Sequence, residues 1–150
     1  MSQPIVKFKK NHPDAVIPQY KTNGSAGMDL HFIIPDNYSE RILRPRQPVL
    51  LSTGLNVEIS EGYEGQVRSR SGLALKGVVV ANSPGTIDSD YRGPLGVILV
   101  NISPESITIS HLDRIAQLVI APVSKAIIEE VTKLSETERG EKGFGSTGVK

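Results

Sequence analysis

Side chains with chemical potential are concentrated in residues 78–101, "VVVANSPGTIDSDYRGPLGVILVN". Asp88 and Asp90 are separated by one residue, so on an extended strand both would point the same way. Such a carboxylate pair can bind a metal ion, divide into a general base and a spectator, or occupy the tip of a hairpin. Asn82 offers a donor and an acceptor in one amide, which suits the edge of a nucleobase. Tyr91 fits either a ligand contact or cross-strand packing.

A second stretch, "RSRSGLALKG" at residues 68–77, combines arginines with serines and a glycine. Guanidinium groups, hydroxyls and the free amides at a helix start all bind phosphate, so Arg70, Ser71 and Gly72 are candidate phosphate ligands. The stretch lacks the lysine and the spacing of a P-loop, and a helix cap beside solvated arginines is the alternative interpretation. Farther along, Gln117 lies within an apolar run, where it must bond either to a neighbouring backbone group or to a ligand.

The histidines, the lack of cysteine and the net charge exclude several kinds of site and partner. His12, His31 and His111 lack the spacing of metal ligands, so we expect surface or strand-edge positions for them. With no cysteine, the chain has no disulfide, thiol nucleophile or cysteine-based zinc site. The net charge of +1 demands neither a nucleic-acid nor a membrane partner. The N-terminal residues do not resemble a secretory signal, and no apolar run reaches the roughly 18 residues of a membrane span. We therefore expect a cytoplasmic protein.

Short β-strands must position these side chains. Fourteen glycines and ten prolines argue against a helical bundle, and turn signals recur about every 8–12 residues. Alternating patterns predict strands within residues 28–32, 55–59 and 106–110, each with one apolar face. Continuous apolar runs at 97–100 and 118–120 predict strands buried on both faces. The expected fold is therefore all-β and single-domain, with one or two helical turns after Ser69.

The sequence changes character after Val131. Residues 132–150 contain three large apolar residues and no periodicity, so they cannot build a packed element alone. We predict a core of residues 1–131 and a flexible C-terminal arm of residues 132–150. A frayed terminus is the simpler alternative. However, "GFGSTG" places Phe144 between two glycines and ahead of two hydroxyls, a pattern that a plain tail does not need.

Five segments resemble, in order, the five motifs of the homotrimeric dUTP pyrophosphatases (dUTPases). They are "AGMDL" (26–30), "RSRSGLALKG" (68–77), "ANSPGTIDSDYRG" (81–93), "DRIAQLVI" (113–120) and "RGEKGFGSTG" (139–148). Each motif is weakly specific alone, but five in order are strongly specific. Lys142 departs from the pattern, since the last motif often has a glycine there.

The resemblance implies a jelly-roll-like β-barrel with a flexible arm that closes over the active site. It implies hydrolysis of dUTP to dUMP and pyrophosphate by water attacking the α-phosphorus. That reaction supplies dUMP for thymidylate synthesis and keeps uracil out of DNA. It further implies a homotrimer whose active sites are shared between subunits, and Mg²⁺ held mainly by the substrate phosphates. Asp29 would either hold metal-bound water or brace the pocket.

The resemblance also assigns roles to individual residues. Asp88 is the expected general base, holding the attacking water and the 3′-hydroxyl. The expected nucleoside pocket consists of Asn82, Gly85, Thr86, Ile87 and Tyr91. The residues expected to bind the phosphates or to close over the substrate are Arg70, Ser71, Gly72, Gln117, Arg139, Phe144, Gly145, Ser146 and Thr147. Among the latter, Phe144 would stack on the uracil.

Two other functions remain open at this point. A sister family with a similar fold deaminates dCTP, but that reaction needs a glutamate general acid–base in the pocket, and this chain has Asp88 instead. Some viral or phage relatives also act as binding or regulatory proteins. No insertion between the motifs points to such a role, although a surface interface would leave no sequence signature.

Overall fold

The structure, a computed structural model, describes residues 3–36 and 38–144. Within this part of the chain there are ten β-strands and one short helix. In chain order they are β1 (Val6–Lys10), β2 (Gly27–His31), β3 (Glu40–Leu43), β4 (Val49–Ile59), β5 (Tyr63–Arg68), α1 (Ser71–Ala74), β6 (Val78–Val80), β7 (Gly85–Ile87), β8 (Pro94–Asn101), β9 (Ile107–Ser110) and β10 (Arg114–Pro122).

The strands form two four-stranded sheets and one two-stranded sheet. The strand order is β1-β4-β8-β6 in the first sheet, β2-β10-β5-β7 in the second, and β3-β9 in the third. All pairings between these strands are antiparallel. Most sheet neighbours are distant in sequence, as in a jelly roll. The expected all-β, jelly-roll-like fold is confirmed.

Alternation along the strands decides which side chains face the core. In β4, Leu55, Val57 and Ile59 are buried, while Asn56 and Glu58 between them are half-buried on the opposite face. This is the pattern that the sequence predicts for a strand with one apolar face. The largest fully buried side chains come from several strands and loops: Phe32, Leu30, Leu43, Leu55, Leu95, Leu99, Ile115 and Leu118.

The prediction that residues 97–100 are buried on both faces is wrong. In β8, Val97 and Leu99 are buried, whereas Ile98 is exposed and Val100 is half-buried. In β10 the alternation is similar, since Leu118 is buried while Val119 and Ile120 are half-buried. The physical reason is that each four-stranded sheet packs one face on the core, and this chain does not fully cover the other.

The single helix is one turn long and follows Ser69, as expected. The last strand ends at Pro122, well before the predicted core boundary at Val131. From Val123 to Phe144 the described chain contains neither helix nor strand. None of the described helices is long and apolar enough to cross a membrane.

Candidate functional site

A cavity of about 450 Å³ lies where the edge of the second sheet faces strands β4 and β8 of the first. Six of the residues that the sequence singled out line it: Asn82, Gly85, Thr86, Ile87, Asp88 and Tyr91. The other lining residues are mostly apolar and come from β4, β5 and β8: Leu50, Leu51, Ser52, Val67, Pro94, Leu95, Gly96 and Ile98. Nothing in the sequence marked these lining residues, because they belong to ordinary strands that only the fold brings to the site.

The path of residues 78–101 explains how the polar side chains reach the cavity. The two ends of the stretch pair as β6 and β8, as a hairpin requires. The connection is not a simple turn, however, because it contains β7, which crosses to the other sheet and pairs with β5. Since β7 is the outermost strand of that sheet, the backbone groups along its second edge have no strand partner. A ligand in the cavity can therefore bond directly to this edge.

Asn82 stands at the start of this connection with its amide packed against β7. A Cβ atom added to Gly85 would lie 3.2 Å from Val67 Cβ and 3.3 Å from Asn82 Nδ2, so a larger residue here would crowd the amide. Between them, the Ser83–Pro84 peptide bond is cis. Within the described part of the chain, the Asn82 amide makes no hydrogen bond to protein, and its donor and acceptor remain available to a ligand.

Asp88 follows β7 directly and opens a turn, in which the Tyr91 N–H donates to the Asp88 carbonyl over 3.1 Å. Asp88 and Asp90 both follow the end of β7, so the extended strand on which they would point the same way is not present here. Both border a second cavity next to β4 and β5. Asp88 also lines the first cavity, and Asp90 does not. Among the described residues no cation lies within ion-pair distance of the Asp88 carboxylate, so this group is available for chemistry.

Tyr91 is held in a fixed orientation against the cavity. Its hydroxyl donates to the Pro94 carbonyl over 2.9 Å. The ring lies across Gly93, where an added Cβ would overlap the tyrosine hydroxyl. The neighbouring Arg92 guanidinium donates to the carbonyls of Ser89, over 2.7 Å, and Tyr91, over 2.9 Å. The turn that presents the ring is thus braced on both sides.

The candidate phosphate ligands lie at the start of α1. Arg70 is the helix N-cap residue, and Ser71 and Gly72 occupy the exposed first turn. First-turn amides have no acceptor within a helix, so those of Ser71 and Gly72 can bind an anion. Arg70 Nε donates to Asp29 Oδ1 over 2.8 Å, and Arg114 Nη1 donates to Asp29 Oδ2 over 3.4 Å. Asp29 therefore braces two arginines.

Gln117 lies on β10, where it pairs in register with Asp29 of β2 on one side and with Arg68 of β5 on the other. Its Nε2 donates to the Ser69 carbonyl over 2.9 Å. Its side chain also fills the space above Gly27, where an added Cβ would overlap the amide oxygen. A backbone partner thus accounts for one of its amide hydrogens, and the other remains free to meet a phosphate.

His31, for which the sequence predicts no role, lies on the same sheet face as Asp29. Burial lowers its pKa below the ordinary value of 6.5, and the Arg114 charge acts in the same direction against the opposing effect of Asp29. The ring is therefore neutral at neutral pH. Its Nδ1 is buried and has no hydrogen-bond partner among the described residues. In the sequence, only the two-residue spacing of Asp29 and His31 on a predicted strand indicated that their side chains share a face.

The predicted site is divided in this single chain. Of the described residues assigned to the phosphates or the arm, none lines the cavity that holds Asp88. Arg139 Nε donates to the Lys142 carbonyl over 3.0 Å, and Phe144 is fully exposed. The remaining predicted arm residues, Gly145, Ser146 and Thr147, lie outside the described residues.

The side chains available as metal ligands indicate how this protein could bind Mg²⁺. The described residues contain no group of three or more carboxylate, imidazole or thiol side chains placed to hold a metal ion. Asp29 does not fit a direct ligand, because each of its oxygens faces a guanidinium. This donor set fits a Mg²⁺ ion bound chiefly by substrate phosphates, which is a common mode for that ion.

Comparison with known proteins agrees with the site. The dUTPase family model matches residues 13–148. The deoxyuridine 5′-triphosphate nucleotidohydrolase of Hydrogenobaculum sp. (strain Y04AAS1) is 52% identical over 143 residues, which cover 95% of this chain and 96% of the relative. The solved structure of Staphylococcus bacteriophage 80alpha dUTPase with dUpNHpp has a TM-score of 0.83 at 30% identity, covering 97% of this chain and 99% of that one.

A mutant dUTPase from phage phi11 of S. aureus, whose structure details the coordination of a structural Mg(II) ion, has a TM-score of 0.76. At 23% identity over 88% of this chain and 99% of the other, that likeness shows the fold alone. The family match, by contrast, includes the cavity, the α1 turn and most of the C-terminal segment. On this match, and on its identity to a curated relative over nearly the whole chain, the protein belongs to the dUTPase family.

Proposed function

We propose that this protein hydrolyses dUTP to dUMP and pyrophosphate by attack of water on the α-phosphorus, with Asp88 as the general base. The observation that carries the proposal is the cavity in which an uncommitted amide, an unpaired strand edge and an unpaired carboxylate face the same space. The family and the dUpNHpp complex of a relative support a deoxyuridine triphosphate as the occupant.

Recognition of uracil follows from the free edge of β7 and from Asn82. Uracil presents one N–H donor between two carbonyl acceptors. Backbone N–H and C=O groups along Gly85–Ile87, together with the Asn82 amide, supply the complementary groups. Cytosine would present a reversed donor pattern and leave buried groups unpaired, which costs more than a lost contact. Thymine would add a methyl group against the wall.

Tyr91 sets the preference for deoxyribose. Its ring is held by the hydrogen bond to Pro94 and by its packing across Gly93, so it cannot move aside cheaply. A ring under the sugar leaves no space for a 2′-hydroxyl. The same surface contributes stacking energy to the binding of the deoxyribose.

Asp88 is the group best placed to accept the proton of the attacking water. Its carboxylate lines the cavity beside Tyr91 and has no ion-pair partner in the described chain. Asp29, by contrast, is bonded to two arginines and is not among the residues that line the cavity. Asp88 also lies within the turn that faces the sugar, so it can hold the 3′-hydroxyl.

The amides of Ser71 and Gly72, with Arg70 and Gln117, bind the phosphates and stabilise charge on the leaving pyrophosphate. Mg²⁺, when bound to the phosphates, neutralises their charge and favours departure of pyrophosphate. The residues of this chain hold and orient the phosphates around it. Asp29 contributes indirectly, because it fixes the direction of the Arg70 guanidinium.

The divided site is completed by assembly. The phosphate ligands of one chain line no part of its own nucleoside cavity, which supports a homotrimer with active sites shared between subunits. The segment after β10 supports the same conclusion, since Ile127 and Ile128 are 90% and 88% exposed. Apolar side chains at this exposure indicate a missing partner surface. Residues 132–150 then form an arm that closes over a site and excludes bulk water.

Release of pyrophosphate, measured separately with dUTP, dTTP, dCTP and UTP, tests the proposed function. We expect hydrolysis of dUTP and weak turnover of the other three. Ammonia release from dCTP without pyrophosphate would instead favour the deaminase of the sister family. A regulatory binding role would appear as a protein interaction that survives loss of Asp88.

The general base is tested with Asp88→Asn, which keeps the shape of the side chain but cannot accept the water proton. We expect kcat to fall by about 10²–10⁴-fold with little change in KM or melting temperature. Asp90→Asn is the matched control, because Asp90 lies outside the cavity and should retain wild-type turnover. A kcat for Asp88→Asn within about threefold of wild type would exclude Asp88 as the base.

A further inference from the structure

Ser69 bonds to a phosphate-side residue and to the strand that leads toward Asn82. It follows β5 and directly precedes the Arg70 cap of α1. Its hydroxyl oxygen accepts a hydrogen bond from the Val80 N–H over 2.9 Å. Its carbonyl accepts the Gln117 amide over 2.9 Å. One residue thus joins the phosphate side at α1, strand β10, and the end of β6.

The Val80 N–H depends on this hydroxyl. Val80 lies opposite Leu99 of β8. The next residue, Ala81, donates its N–H to the Ile98 carbonyl, so Ala81 belongs to a hydrogen-bonded pair of the β6–β8 ladder. Because ladder bonds in an antiparallel pair alternate, the Val80 N–H points away from β8. β6 is the outermost strand of its sheet, so no further strand accepts this bond. Val80 is buried, and the Ser69 hydroxyl satisfies its amide.

The residues on the two sides of the Ser69–Val80 hydrogen bond lie in different surroundings. Val80 is held by the β6–β8 ladder, and Asn82 follows two residues later. On the other side, the half-buried cap residue Arg70 leads into the exposed Ser71 and Gly72 of the single helical turn. The hydroxyl therefore ties the phosphate-side turn to a strand that is held in a sheet. Losing the bond should displace the turn and leave the nucleoside pocket in place.

We propose that Ser69 is a positioning residue that sets the phosphate-side turn, Arg70 to Gly72, against the strand that leads into the nucleoside pocket. This inference rests on the proposed function, in which that turn binds the phosphates. Ser69 does not touch the substrate in this account. It acts through the amides and the guanidinium that follow it, where a small misplacement is costly for the chemical step.

The test compares Ser69→Ala with Ser69→Thr and with Ser60→Ala. Threonine keeps the hydroxyl. Ser60 is a matched control, because its hydroxyl accepts the Ile5 N–H over the same 2.9 Å at a place remote from α1. We expect Ser69→Ala to lower kcat for dUTP by about 10- to 100-fold, with KM and the preference for dUTP over dTTP nearly unchanged. Ser69→Thr and Ser60→Ala should retain turnover close to wild type.

Hydrogen–deuterium exchange at the Val80 amide provides a readout that does not depend on turnover. Exchange at Val80 should accelerate in Ser69→Ala and stay at the wild-type rate in Ser60→Ala. Unchanged exchange, or a Ser69→Ala kcat no lower than that of Ser60→Ala, would overturn the positioning role. A Ser69→Thr variant as slow as Ser69→Ala would overturn it as well. Absence of dUTP hydrolysis by the wild-type protein would refute the proposed function alone, since the exchange measurement still decides the role of the hydroxyl.

Discussion

Tyr91 and Asn82 illustrate two ways in which a residue is prepared for a ligand. The Tyr91 hydroxyl donates a hydrogen bond to the Pro94 carbonyl, and this bond holds the ring in one orientation. The asparagine makes no hydrogen bond to protein within the described chain, so its amide remains available to a ligand. Residues on the phosphate side differ again, because Arg70 and Gln117 are already bonded to Asp29 and Ser69. Their positions are therefore set before a substrate arrives.

Replacing Tyr91 with alanine should admit a 2′-hydroxyl and narrow the preference for dUTP over UTP. It should also reduce kcat/KM for dUTP, since a stacking surface worth about 1 kcal/mol is lost. Tyr91→Phe is the control, because it keeps the ring and removes only the bond to Pro94. The ratio of kcat/KM for the two nucleotides measures the effect. If Tyr91→Ala still excludes UTP as strongly as the wild type, the steric gate lies at another residue.

At the scale of elements, β4 supports both the cavity wall and the turn that carries Asp88. Asn56 Nδ2 donates to the Arg92 carbonyl over 2.8 Å, and Glu58 lies 3.7 Å from the Arg92 guanidinium. On its other side, Glu58 accepts the Lys7 ammonium of β1 over 2.6 Å. These two residues are directly opposite in the β1–β4 register. The edge strand β1 is thus tied to the strand that holds the turn carrying Asp88.

This contact predicts a pH dependence of stability. The hydrogen bond and the charge of Lys7 lower the pKa of the Glu58 carboxyl below its usual 4.5, with a smaller effect from Arg92. A lowered pKa in the folded state means that the contact stabilises the fold above pH 4.5, and that this stability is lost as the pH falls through the folded value. Glu58→Gln should therefore lower the melting temperature slightly at neutral pH.

In strong acid, where the carboxyl is protonated in both states, Glu58→Gln and the wild type should melt alike. The effect at neutral pH should be small, because the pair is exposed. Lys9→Gln on the same strand is the control, since Lys9 has no ion-pair partner among the described residues, and its melting curve should follow the wild type at every pH. A Glu58→Gln difference that persists unchanged in acid would contradict the assignment.

At the scale of the whole molecule, the described strands enclose one core, while the candidate site residues lie in separate places. The cavity holds Asp88, while the candidate phosphate ligands and the described arm residues lie elsewhere. The exposed Ile127 and Ile128 follow the last strand, where the chain leaves its own core. Both features have the same explanation if each active site is assembled from several copies of the chain.

A homotrimer of 16.2 kDa chains should therefore scatter light as a particle of about 49 kDa, since closed symmetric assemblies are the norm. Ile127→Asp with Ile128→Asp should weaken the assembly and reduce turnover, because two charges would be buried in the interface. Leu134→Asp is the control, since it lies in the predicted arm beyond the core. A fully active monomer would contradict the shared site.

Truncation after Glu138 should separate the arm from the core. The strands end at Pro122, so the truncated protein should melt and assemble like the full chain. Turnover should fall heavily, because Arg139, Phe144, Ser146 and Thr147 are removed together. Phe144→Ala alone should produce a milder defect, since the phosphate contacts remain. Equal turnover with equal melting curves would identify residues 139–150 as an ordinary frayed terminus.

The sequence alone was sufficient for the family, the all-β class and six of the residues that line the candidate cavity. This is because five motifs keep their order, and because alternation along a strand determines which side chains face the core. Asn82, Asp88 and Tyr91 were recognisable since each carries polar or aromatic groups that a plain turn does not require. The α1 turn was recognisable for the same reason.

Tertiary structure decided what depends on contacts between distant segments. It placed Asp88 and Asp90 in the turn that follows β7, where only Asp88 lines the cavity with Asn82 and Tyr91. It lined that cavity with apolar residues of β4, β5 and β8 as well, and it bonded Asp29 to two arginines. It also brought the Ser69 hydroxyl to the Val80 amide. A local pattern cannot reveal such contacts, because each depends on how two sheets pack and on which backbone groups remain unpaired after they have packed.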